Sequence, residues 1–307
     1  MTTTQPAFTL ELPVGHLAVH DLTAGVAADD APVVLAVHGI TANGLSWQLV
    51  ADELGRRRGP GAVRVLAPDL RGRASSAGAP GPYGLGTHAD DLAAVASAFA
   101  ARPVLVGHSM GAFVAALAAA RHPERFSSVV LVDGGLAFPA PADLDADAAL
   151  QAVLGPAMAR RSMRFGSEEE YLGFWAQHPA LGPLLDGPAG DATRRYVLHD
   201  LVPAADGEGL ASSCVLDAVR ADGAGVLGDA EAHAAARMAL AAGVPVELVW
   251  AHRGLLDEPQ GLYDPQRLAA LSLPEGLRTT DVDANHYSVL LAPAGVAAVA
   301  DAVERAL

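Results

Sequence analysis

The sequence predicts an α/β fold: a mostly parallel central sheet with helices on both faces and an inserted helical cap. Three observations predict it. Short β-branched apolar runs without alternation recur as PVVLAVHG, AVRVLAPD, RPVLVGHS and FSSVVLVDGG, the pattern of strands buried on both faces. Helix-length stretches lie between them, and parallel neighbours need such crossovers. A segment of about 100 residues, 138–236, then loses the strand rhythm before it returns.

Each element follows in order. FTLELPVGHLAVHD, from Phe8 to Asp21, alternates and breaks at Pro13-Val14-Gly15, which predicts a hairpin at a sheet edge. Helices are predicted over Leu45 to Arg58, Thr87 to Ala101 and Met110 to His122. In the inserted segment, PAPADLD, LGPLLDGPAG and LVPAADGEG interrupt short amphipathic pieces such as SEEEYLGFWAQH, so a strandless group of short helices is expected. PVELVWA and LRTTDVDA restore the sheet, and a last helix is expected from His286 or Tyr287 to Leu307. The chain thus divides into a core, 1–137 and 237–307, and a cap, 138–236.

The 307 residues are 51% hydrophobic and 18% charged, the composition of a folded globular chain. A formal charge of −15 repels phosphate backbones and anionic headgroups, so neither nucleic acid nor a membrane surface is an expected partner. The basic clusters Arg56-Arg57-Arg58 and Arg160-Arg161 with Arg164 read as solvated helix faces or helix C-terminal charges. The single cysteine, Cys214, excludes an intrachain disulfide and a cysteine-rich zinc site, and reads as a buried, inert thiol. MTTTQPAFTLELPVG lacks the features of a signal peptide, and no apolar run approaches the roughly 18–20 residues of a membrane span. A cytoplasmic protein is expected. Oligomeric state is not legible.

The polar residues just after the predicted strands are His38, Asp69, His108-Ser109 and Asp133, at the carboxyl ends where function gathers in such sheets. Gly107-His108-Ser109-Met110-Gly111 has the G-x-S-x-G form between a buried strand and a helix, the context that presents a nucleophilic serine on a sharp turn. Serine alone is a poor nucleophile, so a base, a group orienting it and oxyanion donors are needed. A helix N-cap is the plainer role for Ser109, but an ordinary cap does not require glycine on both sides.

On these motifs the chain resembles the α/β-hydrolase superfamily. His38-Gly39, Asp69-Leu70-Arg71-Gly72, the GHSMG elbow and Asn285-His286-Tyr287 occur in that order over most of the chain. The resemblance implies Ser109 as nucleophile, His286 as base, and the backbone N–H groups of Met110 and Ile40 as the oxyanion hole. The family's commonest acid position holds glycine here, Gly254, with Asp257 three residues on. Its other position, the end of the strand after the nucleophile helix, holds Asp133. Asp133 is the favoured acid and Asp257 the alternative. A carboxylate at Asp133 with a helical lid is similar to fungal-type zearalenone lactonases, which carry Glu there.

The resemblance implies hydrolysis of a carboxylic ester or lactone of a medium-sized, largely apolar molecule through an acyl-enzyme. Trp175, Phe174, Tyr171, Phe165, Met158 and Leu185 are candidate pocket residues, equally readable as the cap's own core, and His38 is a candidate contact or loop-shaping residue. Alternatives are a C–C bond hydrolase, a cofactor-free oxygenase on the same fold, or a non-catalytic ligand receptor. Neither metal nor cofactor is expected, since serine hydrolysis requires no cofactor and no H-E-x-x-H spacing occurs.

Overall fold

The computed structural model describes residues 6–12, 15–23, 25–137 and 156–307; the PAPADLD stretch lies outside them. Eight strands form one sheet in the order β1-β2-β4-β3-β5-β6-β9-β10. They are β1 (Phe8–Glu11), β2 (His16–Asp21), β3 (Val33–Val37), β4 (Arg64–Pro68), β5 (Val104–His108), β6 (Ser128–Val132), β9 (Val246–Ala251) and β10 (Arg278–Val282). β1 pairs antiparallel with β2, and β2 antiparallel with β4, as the alternating N-terminal hairpin requires. All other neighbours are parallel. β3, β5, β6 and β9 are buried at every position, which is why their sequences show no alternation.

Helices α1 (Gln48–Arg58), α2 (Leu85–Ala96) and α3 (Met110–Arg121) fall within a few residues of expectation. α1 is preceded by a 3₁₀ turn over Gly44–Trp47, which Asn43 caps by accepting from the Leu45 N–H. The last helix differs. Pro293 breaks it into Ser288–Leu291 and Pro293–Ala306, because proline supplies no N–H to continue the first piece but suits the first turn of the second.

The inserted segment is largely helical, with helices at Glu168–Ala176, Gly190–Leu198 and Leu216–Gly228. It is not strandless: β7 (Leu201–Pro203) and β8 (Leu210–Ser212) form a small antiparallel pair. The helix Ala230–Ala241 runs unbroken past residue 237 and packs on α3 through Ala232, Ala235, Ala236 and Ala239, all buried.

Arg160 departs further from expectation. It is 1% exposed, not on a solvated face, whereas Arg56 is open at the surface and paired with Glu53. No helix among the described residues is long and apolar enough to cross a membrane.

Candidate active site

Ser109 follows β5 with φ 57° and ψ −124°, a conformation in which a non-glycine residue is strained by about 1–3 kcal/mol. It occupies the N-cap position of α3, yet its side chain makes no capping hydrogen bond. The flanking glycines have a steric reason. A Cβ on Gly107 would lie 2.1 Å from the Gly111 carbonyl oxygen, and one on Gly111 would lie 2.3 Å from that of Val37. The first turn of α3 therefore sits directly against the end of β3.

The same packing sets the loop after β3 beside the serine, where a Cβ on Gly39 would lie 3.5 Å from Ser109 Oγ. The Met110 N–H opens α3, where the first N–H groups have no intrahelical acceptor. The Ile40 N–H shares a trans peptide with the Gly39 carbonyl, so the two point oppositely. His38 Nδ1–H donates to that carbonyl at 2.8 Å, and His38 Nε2 accepts the Leu70 N–H at 2.9 Å. Both ring nitrogens of His38 are thus engaged by backbone, and burial pushes its pKa down to about 4.

One β-strand along, Asp133 follows β6 with φ 44°. It is fully buried, and its Oδ1 accepts the Ala251 N–H at 3.1 Å. Its Oδ2 accepts from His286 Nδ1–H at 2.6 Å. A Cβ on the next residue, Gly134, would lie 2.2 Å from the Ser109 carbonyl oxygen, so the Asp133 turn and the serine turn are in direct contact. His286 is 3% exposed, and His108 Nε2–H donates to its carbonyl at 2.8 Å, the two rings lying 4.5 Å apart. Asn285 fixes the turn around it: its Oδ1 accepts the N–H groups of Tyr287 and Ser288 at 3.0 and 2.8 Å.

Asp257 is placed elsewhere. It is exposed and accepts from Arg253 Nε at 2.8 Å and Asn285 Nδ2 at 2.9 Å. Of the two acids weighed from the sequence, Asp133 is the one hydrogen-bonded to His286.

Over this end of the sheet, Tyr171 and Trp175 are buried and Phe174 is partly buried. They form an edge-to-face cluster with Phe165. Tyr171 and Trp175 also border a small cavity beside Thr41, together with Asn43, Arg160, Tyr196, Val197 and Asp200. At about 10 Å³ it is no larger than a water, and its walls are tied together by polar groups. The Tyr171 hydroxyl donates to Asp200 Oδ2 at 2.6 Å and accepts from Arg160 Nε at 3.1 Å. Asp200 Oδ1 also accepts from Ser213 Oγ at 2.9 Å. Cys214 packs on this group, and burial pushes its thiol up to about 11.

His20, Asp69 and His199 have ligand atoms close enough to share a metal ion. Asp69 Oδ2 accepts from both imidazoles, at 2.9 and 3.0 Å, and from the Ser75 N–H at 3.0 Å, while Oδ1 accepts the Gly44 N–H at 2.8 Å. Burial opposes ionisation of this carboxyl, but the donors from His199 and His20 hold it well below the usual range. With its acceptor sites filled, the group reads as a knot joining β2, the loop after β4 and the inserted segment.

A mostly parallel sheet with a strained serine after a central strand and an Asp–His pair supplied by the ends of two later strands defines a class of elbow-bearing α/β proteins. The chain belongs to the alpha/beta hydrolase fold family, whose model matches residues 32–293. It is 33% identical to lipase LipV of Mycobacterium tuberculosis over 159 residues, half of this chain and 56% of that one. It is 34% identical to N-formylmaleamate deformylase of Pseudomonas putida over 130 residues, 40% of this chain and 47% of that one. With 2-hydroxymuconate semialdehyde hydrolase of a Pseudomonas species it shares 37% identity over 111 residues, 35% of this chain and 37% of that one. The chain thus spans about half or less of the length of these relatives. Among solved structures, the thioesterase domain from the curacin biosynthetic pathway superposes with a TM-score of 0.70 at 21% identity, covering 97% of this chain and 98% of that one. The fold is shared at that identity.

Proposed function

We propose that the protein is a serine hydrolase of small carbonyl compounds, cleaving a C–N or C–C bond beside the carbonyl. The observation that carries this reading is the 2.6 Å bond from His286 to Asp133, next to a strained serine. Ser109 Oγ attacks the carbonyl carbon as His286 Nε2 takes its proton, and Asp133 holds the imidazole in register and stabilises the imidazolium. The Ile40 and Met110 N–H groups receive the oxyanion. The imidazolium then protonates the leaving nitrogen or carbon, and water, deprotonated by His286, hydrolyses the acyl-enzyme. His38, with both nitrogens committed, shapes the Gly39–Ile40 turn without contacting substrate.

One observation supports C–N or C–C cleavage over the ester or lactone hydrolysis that the sequence suggested: the matched relatives include a deformylase and a semialdehyde hydrolase. Ester cleavage is the second reading, favoured by the match to LipV. The test is a panel of N-formyl and N-acetyl amide carboxylates, vinylogous diketones and p-nitrophenyl esters, each with wild type and Ser109→Ala. Ser109-dependent turnover of the amides or diketones above the esters supports the first reading, and the reverse order the second. Absence of turnover together with no fluorophosphonate labelling of Ser109 overturns both and leaves a ligand receptor.

A further inference from the structure

The turn that carries the Ile40 N–H is held from outside in an unusual way. Three consecutive carbonyls, of Gly39, Ile40 and Thr41, each accept from a side chain: His38 Nδ1 at 2.8 Å, Arg73 Nε at 2.9 Å and Arg160 Nη2 at 2.7 Å. Arg73 and Arg160 are 0% and 1% exposed. Each is oriented by an aspartate of the inserted segment. Arg73 Nη1 pairs with Asp222 Oδ2 at 2.5 Å, and Arg160 Nε with Asp200 Oδ2 at 3.0 Å. Asp222 lies on the helix Leu216–Gly228 and Asp200 just past Gly190–Leu198. Arg160 itself reaches the turn from the inserted segment, whereas Arg73 reaches the inserted segment from the core.

We propose that Arg73 and Arg160 are positioning residues for the oxyanion donor at Ile40, and that the seated cap, through Asp222 and Asp200, sets the shape of that turn. The proposal rests on the serine-hydrolase reading above. Fixing the Ile40 and Thr41 carbonyls, next to the Gly39 carbonyl held by His38, leaves the peptide that bears the Ile40 N–H little freedom to rotate. A guanidinium is suited to this because one nitrogen can hold a carbonyl while another holds a carboxylate. Neither arginine touches substrate. Their effect is expected where charge develops on the carbonyl oxygen, not in ground-state binding.

The test compares wild type with Arg160→Met/Asp200→Asn, which removes both buried charges together so that neither is left unpaired, and with Arg160→Lys, which keeps a charge beside Asp200. For the best substrate of the panel, kcat is expected to fall roughly 10- to 100-fold, in line with the cost of displacing a catalytic group by about 1 Å, with KM changed little. A short-chain trifluoromethyl ketone reports the oxyanion directly. Its carbonyl carbon bonds to Ser109 Oγ, the serine proton moves to His286, and the carbonyl electron pair becomes an alkoxide. Its affinity is expected to fall by the same factor as kcat, with Arg160→Lys intermediate. A purely structural role lowers the unfolding temperature and leaves kcat and ketone affinity at wild-type values, which overturns the proposal while Ser109-dependent activity stands. Wild type that neither turns over substrate nor labels at Ser109 overturns the functional reading and this proposal together.

Discussion

At the scale of single residues, Asp133 and Asp257 make the sharpest contrast. Asp133 is sealed against His286, and Asp257 sits at the surface on Arg253 and Asn285. Asp133→Asn is expected to lower kcat by roughly 10³- to 10⁴-fold, the loss that follows when a triad carboxylate no longer fixes the imidazole tautomer. Asp257→Asn is expected to stay within a few-fold of wild type; equal losses in the two variants would refute the assignment. His38 gives a pH signature. Its ring titrates near 6.5 in the unfolded chain and near 4 when buried in the native one. Between those values the unfolded chain holds a proton that the native chain does not, so native stability falls as pH drops from about 6.5 to 4, by up to about 3 kcal/mol. Urea unfolding of His38→Asn across that interval should show a shallower decline than wild type. Ser109 and His286 were legible because a motif and a chain position mark them. Arg160 was not: its burial is decided by Asp200, forty positions away, and no local pattern distinguishes it from a surface arginine.

At the scale of elements, the sequence indicated β3, β5, β6 and β9 because burial on both faces leaves a compositional trace. β7 and β8 left none, being three residues each and only partly buried. The split in the last helix was written in Pro293, and the expectation of one continuous helix overlooked it. The elbow is where element geometry is tightest. Gly107→Ala would force a Cβ to within 2.1 Å of the Gly111 carbonyl oxygen, whereas Gly78→Ala meets nothing within 4 Å. Gly107→Ala is expected to destabilise by roughly 1–3 kcal/mol or more and to depress activity, with Gly78→Ala near neutral; chemical denaturation and kcat measured on both would check this.

At the scale of the molecule, the cap and core are joined through charged groups, not only apolar surface. Arg73–Asp222, Arg160 to the Thr41 carbonyl and the Asp69–His199 bond all cross between them. The two parts are therefore expected to unfold together. Trp47 reports the core and Trp175 the inserted segment, and single-tryptophan variants should give coincident urea transitions. Arg73→Met, leaving Asp222 buried without its guanidinium, is expected to cost about 3–5 kcal/mol and to shift both reporters equally; separate transitions would count against the joined picture. The continuous helix Ala230–Ala241 also argues for drawing the boundary of the inserted segment before residue 230, not at 236/237. Alanine-rich sequence on both sides of that point hid the helix start that Asp229 marks by capping it.

The strand order has a kinetic consequence. Ser109 follows β5, Asp133 follows β6, and His286 follows β10 at the far edge, so the site closes only after β9 has docked beside β6, made more than a hundred residues earlier, and β10 beside β9. Loop closures of that length are slow to form. During refolding, helical signal should therefore recover first, and reactivity of Ser109 should be among the last properties to return.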